Sequence, residues 1–173
     1  MSVYDESGFR FNFTQAQKSV IHDKAEPHDG NTFWKGVDFR VFEAKREVWI
    51  EVKSWSSLRF RDPAERKGAK SRFVKEKMGD EIEKFRDEIV NKFFGTTCYR
   101  VWSGIGIPKT VHYVVFLEPP DRGSRPLLLT FQDRLRDEFK NAQAKPWGKR
   151  ITCKVVDKVE FEREFPNYSV ARV

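Results

Sequence analysis

Gly36-Val37-Asp38-Phe39-Arg40-Val41-Phe42, a short polar turn, and Val48-Trp49-Ile50-Glu51-Val52-Lys53 are the stretch on which the reading of this chain depends. Both runs are rich in apolar, β-branched and aromatic residues, and together they read as two strands joined as a hairpin. A strand that could be all core has no packing use for a glutamate and a lysine, and conflicts of this kind mark functional sites. Alternate side chains of a strand share a face, so Glu51 and Lys53 point the same way as Trp49, while Ile50 and Val52 face the other side. At strand spacing their Cα atoms lie about 7 Å apart. Asp38 joins that face if antiparallel pairing sets it opposite Glu51 or opposite Lys53. The first register needs an Ala44-Lys45 turn, which lacks the Gly or Asn that two-residue turns favour. The second leaves a loop from Ala44 to Glu47 and is the expected one. In both, Asp38, Glu51 and Lys53 converge.

Outward from the hairpin, the chain reads as helices alternating with strands. Residues 1–10 form a polar lead, expected to be loosely ordered. Phe13, Ala16 and Val20 fall at helical spacing, which predicts a helix from Phe13 to Lys24, stopped by Pro27 and the His28-Asp29-Gly30-Asn31 run. A first strand is predicted from Phe33 to Phe42 and a second from Val48 to Lys53. Ser54 to Met78 reads as a loop with a short helix. Ile82, Phe85, Ile89 and Phe93 make an apolar stripe that predicts a helix from Gly79 to Phe94, capped by Gly95. Strands at Cys98–Trp102 and Val111–Leu117 follow, joined through the Gly104-Ile105-Gly106 turn. A helix through Phe131, Leu135 and Phe139, a strand at Ile151–Val156, and a short helix from Val159 to Phe165 complete the order. The expectation is an α/β fold over residues 1–173 as one domain, with a central mixed sheet flanked by helices.

The composition narrows the function classes. Of 173 residues, 34% are charged, and the formal net charge is +7 with a pI near 9.4, which favours an anionic partner, nucleic acid first. From Arg59 to Lys77 there are eight Lys or Arg against three acids, directly after the hairpin. Cys98 and Cys153 are far apart in apolar runs and read as reduced thiols, with no Cys/His cluster for structural zinc. The polar N-terminus and the lack of any run near the ~18 apolar residues of a membrane span predict a cytoplasmic protein. His22, His28 and His112 show no ligand spacing.

Two carboxylates beside a backbone carbonyl make a hard oxygen site suited to Mg²⁺, with Mn²⁺ as its usual substitute. Such an ion polarises a phosphodiester and activates water, and a lysine beside it stabilises the growing negative charge. The tripeptide alone is no signal, because Glu-x-Lys occurs four times: at Glu43, Glu51, Glu65 and Glu138. Three of these lie in polar turns or at helix ends, where a solvated ion pair explains them. Only Glu51-Val52-Lys53 lies inside an apolar strand with an acid upstream on a paired strand.

In this combination Gly36-Val37-Asp38 followed by Trp49-Ile50-Glu51-Val52-Lys53 resembles the PD-(D/E)XK phosphodiesterase superfamily, the restriction-endonuclease-like fold. The motif-bearing match runs from about Phe33 to Trp55. Lys84-Phe85-Arg86-Asp87 and Phe165-Pro166-Asn167-Tyr168 are further, weaker likenesses to small stand-alone bacterial members. The resemblance implies a Mg²⁺-dependent deoxyribonuclease in which Asp38 and Glu51 ligate the metal, Val52 lends its carbonyl and Lys53 is catalytic. Asp23 or Glu26 are candidates for the acid that many members supply from a first helix. Val37 stands where the family name has proline, and Lys24 to Thr32 offers no strand ahead of the one bearing the Asp. A domain of the same fold that binds nucleic acid or protein without cutting is the alternative. Arg59, Arg61, Lys67, Lys70 and Lys84 are the candidate phosphate contacts, and Trp34 and Trp55 flank the motif strands as candidate stacking residues. No recognition module is evident, so a homodimer or a partner subunit is a candidate source of specificity.

Overall fold

Phe9, Phe11 and Phe13 alternate with polar residues, which is a strand pattern of period two. In the computed structural model, which describes residues 2–21, 36–54, 71–119, 125–143 and 150–173, that pattern is realised. β1 (Val3–Glu6) and β2 (Phe9–Asn12) form an antiparallel hairpin. Its two central residues, Ser7 and Gly8, have φ of 52° and 82°, the left-handed values that a tight primed turn demands. The lead is therefore an ordered ribbon. The predicted helix from Phe13 is also replaced: after a turn, Lys18–Ile21 forms β3. The apolar spacing that suggested a helix is met instead by a turn in which Ala16 N–H donates to Phe13 O at 2.9 Å.

β3 pairs antiparallel with β4 (Phe39–Phe42), which supplies the strand ahead of the hairpin that the sequence had not revealed. β4 pairs antiparallel with β5 (Glu47–Ser54). β5 then runs parallel to β6 (Thr110–Glu118), and β6 parallel to β7 (Arg150–Val156), giving a five-stranded mixed sheet in the order β3-β4-β5-β6-β7. Parallel neighbours need long crossovers. The first contains α1 (Ser71–Trp102) and the second α2 (Arg125–Gln143). After β7 come α3 (Lys158–Glu164), capped by Asp157 accepting from Glu160 N–H at 2.8 Å, and β8 (Ser169–Arg172), which pairs with β2.

Two predictions on this sheet are corrected. The hairpin pairs Phe39 with Ile50 and Phe42 with Glu47, so Asp38 falls opposite Glu51, not Lys53. Glu43 N–H donates to Arg46 O at 3.0 Å, closing the Ala44-Lys45 turn. Neither turn residue has a positive φ, so the need for Gly or Asn does not arise. The Glu43–Arg46 ion pair at 2.5 Å clasps its two ends. The second correction concerns α1, which runs through Gly95 and absorbs the predicted Cys98–Trp102 strand. The β-branched pair Thr96-Thr97 suggests a strand, but both hydroxyls donate to the carbonyls one turn back, Lys92 O and Phe93 O, at 3.0 Å. The helix ends where Gly104 takes a φ of 70°. The Gly104-Ile105-Gly106 turn thus joins a helix to β6.

The sheet is covered on both faces. Trp49, Val111, Tyr113, Val115, Leu117 and Val155 pack against Phe85, Ile89 and Phe93 of α1 and Leu128, Phe131, Leu135 and Phe139 of α2. On the other face Phe39, Val41, Val48, Ile50, Val52, Val114 and Phe116 pack against Phe9 and Phe11 of the small sheet and Phe161 of α3. The class is α/β, with helices over one face and a three-stranded sheet plus one short helix over the other. Among the described residues no helix is long and apolar enough to cross a membrane. Cys98 and Cys153 are free thiols, Cys98 in α1 and Cys153 in β7.

Candidate functional site

The hairpin ladder stops at Phe39 and Ile50. Continued, it would make Val37 and Val52 the next hydrogen-bonded pair and leave Asp38 and Glu51 facing each other between the two pairs, where side chains approach closest. Both donors of that pair are diverted. Val52 N–H donates to Asp38 Oδ2 at 2.6 Å, and Val37 N–H donates to Thr96 Oγ1 of α1 at 2.9 Å. The Asp38 carboxylate is thereby fixed against β5. A strand residue directs its N–H and C=O to the same edge, so the Val52 carbonyl lies on the Asp38 side, and the donor that the register offers it has gone to Thr96.

Strand parity holds as predicted: Glu47, Trp49, Glu51 and Lys53 share the face under α1, while Val48, Ile50 and Val52 belong to the opposite core. Glu51 is completely buried and Asp38 nearly so, at 6% exposure. Lys53 Nζ lies 2.9 Å from Glu51 Oε1 and 2.5 Å from Glu88 Oε1 on α1. Lys92, one helical turn beyond Glu88, brings its Nζ to 2.9 Å from the same Glu51 Oε1 and to 3.4 Å from Asp38 Oδ1. Among the described residues no hydrogen bond reaches Glu51 Oε2, although that atom is shut off from solvent. α1 is held in register over the site by Tyr113 O–H of β6, which donates to Ile89 O at 2.8 Å.

The charges show the strain of this environment. Burial, and then the neighbouring Asp38 carboxylate, push the Glu51 carboxyl up to about 7, against the pull of Lys92 and Lys53. Burial also raises the Asp38 carboxyl, opposed by Lys92 and the Val52 N–H. For Lys53, burial works against the charge, but Glu51 and Glu88 outweigh it and raise its pKa. Neutralisation of the two acids is incomplete: Lys53 divides its charge between Glu51 and Glu88, and among the described residues only Lys92 pairs with both Asp38 and Glu51.

The donor set fits a hard divalent cation. It offers a second carboxylate, a carbonyl on the right edge, and a buried carboxylate oxygen without a hydrogen bond. Among the described residues no group of three His, Cys, Asp or Glu could hold a metal, so those residues offer an ion two carboxylates. Mg²⁺ tolerates this, since it keeps several waters and takes substrate phosphate oxygens.

Sequence reasoning missed Lys92, Glu88 and Thr96. Lys84, Glu88, Lys92 and Thr96 recur every four residues, a polar row beside the apolar row Phe85-Ile89-Phe93, and that row was the available signal. Lys84 is exposed one turn before Glu88. Asp23, Glu26, Trp34, Trp55, Arg59, Arg61, Lys67 and Lys70 lie outside the described residues. His112 sits on β6 beside Arg46, 3.4 Å away, in a structural setting. Phe165 and Tyr168 of the Phe165-Pro166-Asn167-Tyr168 ending are buried in the other core, where Tyr168 O–H donates to Glu43 Oε1 at 2.8 Å.

The face of β5 that carries Glu51 carries a second buried glutamate. Glu47 accepts from Arg40 Nε at 2.8 Å and from Arg100 through both its oxygens at 2.7 and 2.8 Å. Its carboxylate is fully committed to a structural ion cluster. Comparison with protein-family models, with curated proteins and with solved structures finds no match.

Proposed function

We propose that the chain is a metal-dependent nuclease of the PD-(D/E)XK type, hydrolysing phosphodiester bonds in DNA on a restriction-endonuclease-like fold. One observation carries the reading: the hairpin ladder opens at the point where Asp38 faces Glu51, and Glu51 keeps a buried oxygen that no described group satisfies. A purely structural carboxylate would be expected to look like Glu47, with every oxygen in use. The antiparallel β3-β4-β5 followed by parallel β5-β6-β7 with a helical crossover between them also suits that fold.

In this reading Asp38 and Glu51 hold Mg²⁺ or Mn²⁺, with the Val52 carbonyl on the same edge. Such an ion supplies Lewis acidity toward the phosphoryl group. Lys53, anchored between Glu51 and Glu88, presents a fixed ammonium that stabilises negative charge developing at the scissile phosphate. α1 screens one side of the site from water, which strengthens each of these interactions. The net charge of +7 supports a polyanionic substrate.

The test is cleavage of a panel of single- and double-stranded DNA and RNA with Mg²⁺ or Mn²⁺. Lys53→Ala and Asp38→Ala are each expected to lower DNA cleavage by about 100-fold or more. Unchanged activity in both variants would remove the site assignment. The second reading, a domain that binds nucleic acid without cutting, is favoured by the two ammoniums already paired with Glu51. Retained DNA binding with no cleavage of any substrate would establish it instead.

A further inference from the structure

Lys92 is an unusual residue for the inner face of a helix. Its side chain is only 11% exposed, and it projects from α1 onto two carboxylates whose own side chains are 8% and 0% exposed. Lys53 reaches only one of those carboxylates and shares itself with Glu88. The position that touches both Asp38 and Glu51, where a cation bridging them must act, is therefore held by an ammonium from the chain itself. We propose that Lys92 is a built-in competitor for the divalent ion, and that metal binding at Asp38 and Glu51 proceeds by exchange of its ammonium for the metal. The inference rests on the metal-dependent reading above and adds a control on loading to it.

The physical case is one of charge and reach. A dication and an ammonium cannot share a gap of this size in a water-poor environment, because their repulsion there is far stronger than in bulk water. Without metal, Lys92 keeps two buried carboxylates from standing unpaired, a situation that is strongly destabilising. With metal, its flexible four-carbon stem lets the ammonium withdraw while the helix stays anchored through Tyr113 and Thr96. The three carboxylates of Asp38, Glu51 and Glu88 outnumber the two ammoniums of Lys53 and Lys92, and a dication in the place of Lys92 offsets the residual negative charge. The exchange is thus favoured by charge balance and opposed by the loss of the existing ion pairs, which sets a threshold of metal concentration.

The experiment is calorimetric titration of wild type, Lys92→Met and Lys92→Arg with MnCl₂ and with MgCl₂, accompanied by thermal melts with and without metal. Lys92→Met is expected to bind Mn²⁺ about tenfold tighter or more, since the competing charge is gone, and to gain more in Tm from metal than wild type does. Lys92→Arg, which keeps the charge, is expected to show no such tightening. Equal or weaker binding by Lys92→Met, with wild type still binding, overturns the competitor role and leaves the nuclease reading standing. Failure of wild type and both variants to bind either ion overturns the metal reading and this proposal together. Should Lys92→Met not fold without metal, the wild-type protein decides. The Lys92 ε-methylene NMR signal, assigned by its loss in Lys92→Arg, must shift on saturation with Mg²⁺, and an unmoved signal on a loaded site refutes the exchange.

Discussion

Glu47 and Glu51 are four residues apart on one face of β5, and both are buried, yet their surroundings give them opposite characters. Glu47 is matched by two guanidiniums and both its oxygens accept hydrogen bonds. Glu51 faces another carboxylate, shares its ammoniums, and retains an oxygen that no hydrogen bond from the described residues reaches. The result is a carboxyl whose pKa is raised to about 7 from its ordinary 4.5. Between those values the native chain holds a proton that the unfolded chain has released, so stability falls as pH rises through that window. The stability held in that proton is lost on going from below pH 4.5 to above pH 7. Asp38 is raised in the same direction, and the two titrate as a coupled pair. Urea denaturation of metal-free protein at pH 5 and pH 8 should therefore show wild type losing stability with pH, and Glu51→Gln losing markedly less. A wild-type stability that rises over this range would contradict the environment described for Glu51.

At the scale of elements, the site is the product of α1 lying across the end of the β4–β5 hairpin. Thr96 is the contact that makes this specific, accepting Val37 N–H and donating to Lys92 O. Replacing it with valine keeps the shape but leaves a buried N–H without an acceptor, at an expected cost of about 1–3 kcal/mol in chemical denaturation. Because Val37 precedes Asp38, the proposed nuclease function predicts that the same variant loses cleavage activity beyond what its stability loss explains, measured well below its melting temperature. The hairpin itself was legible: the two strands, their facing and the convergence of Asp38, Glu51 and Lys53 all follow from alternation. Its register was not, because the Ala44-Lys45 turn closes without the positive φ that the expected residue preferences assume. The length of α1 was not legible either. Thr96-Thr97-Cys98-Tyr99-Arg100-Val101-Trp102 has the composition of a strand, and only packing on the sheet, with Arg100 reaching Glu47, makes it helical.

For the whole molecule, the aromatic residues decide how the layers join. Phe11 of the small sheet meets Phe39, Phe116 and Phe161 with ring centroids 5.2, 5.2 and 5.8 Å away, so one side chain ties β2 to the central sheet and to α3. Phe11→Ala is expected to destabilise the protein by about 3–5 kcal/mol, read from the denaturation midpoint. If the proposed metal site is right, it should do so without changing the metal affinity of the folded fraction, because it acts on the face of β5 opposite Glu51. The sequence by itself determined the α/β class, the β5, β6 and β7 strands, the helices around Phe85, Phe131 and Phe161, and which residues of β5 point together. These depend on the period of apolar residues, a local property of the chain. Only the tertiary structure decided that the Phe9-Phe11 ribbon and β8 form a second sheet, and that Asp38 faces Glu51. It alone placed Lys92 between the two carboxylates and separated Glu47 from Glu51. Those outcomes depend on which distant groups meet across the sheet and on how completely each buried charge is matched, and sequence spacing encodes neither.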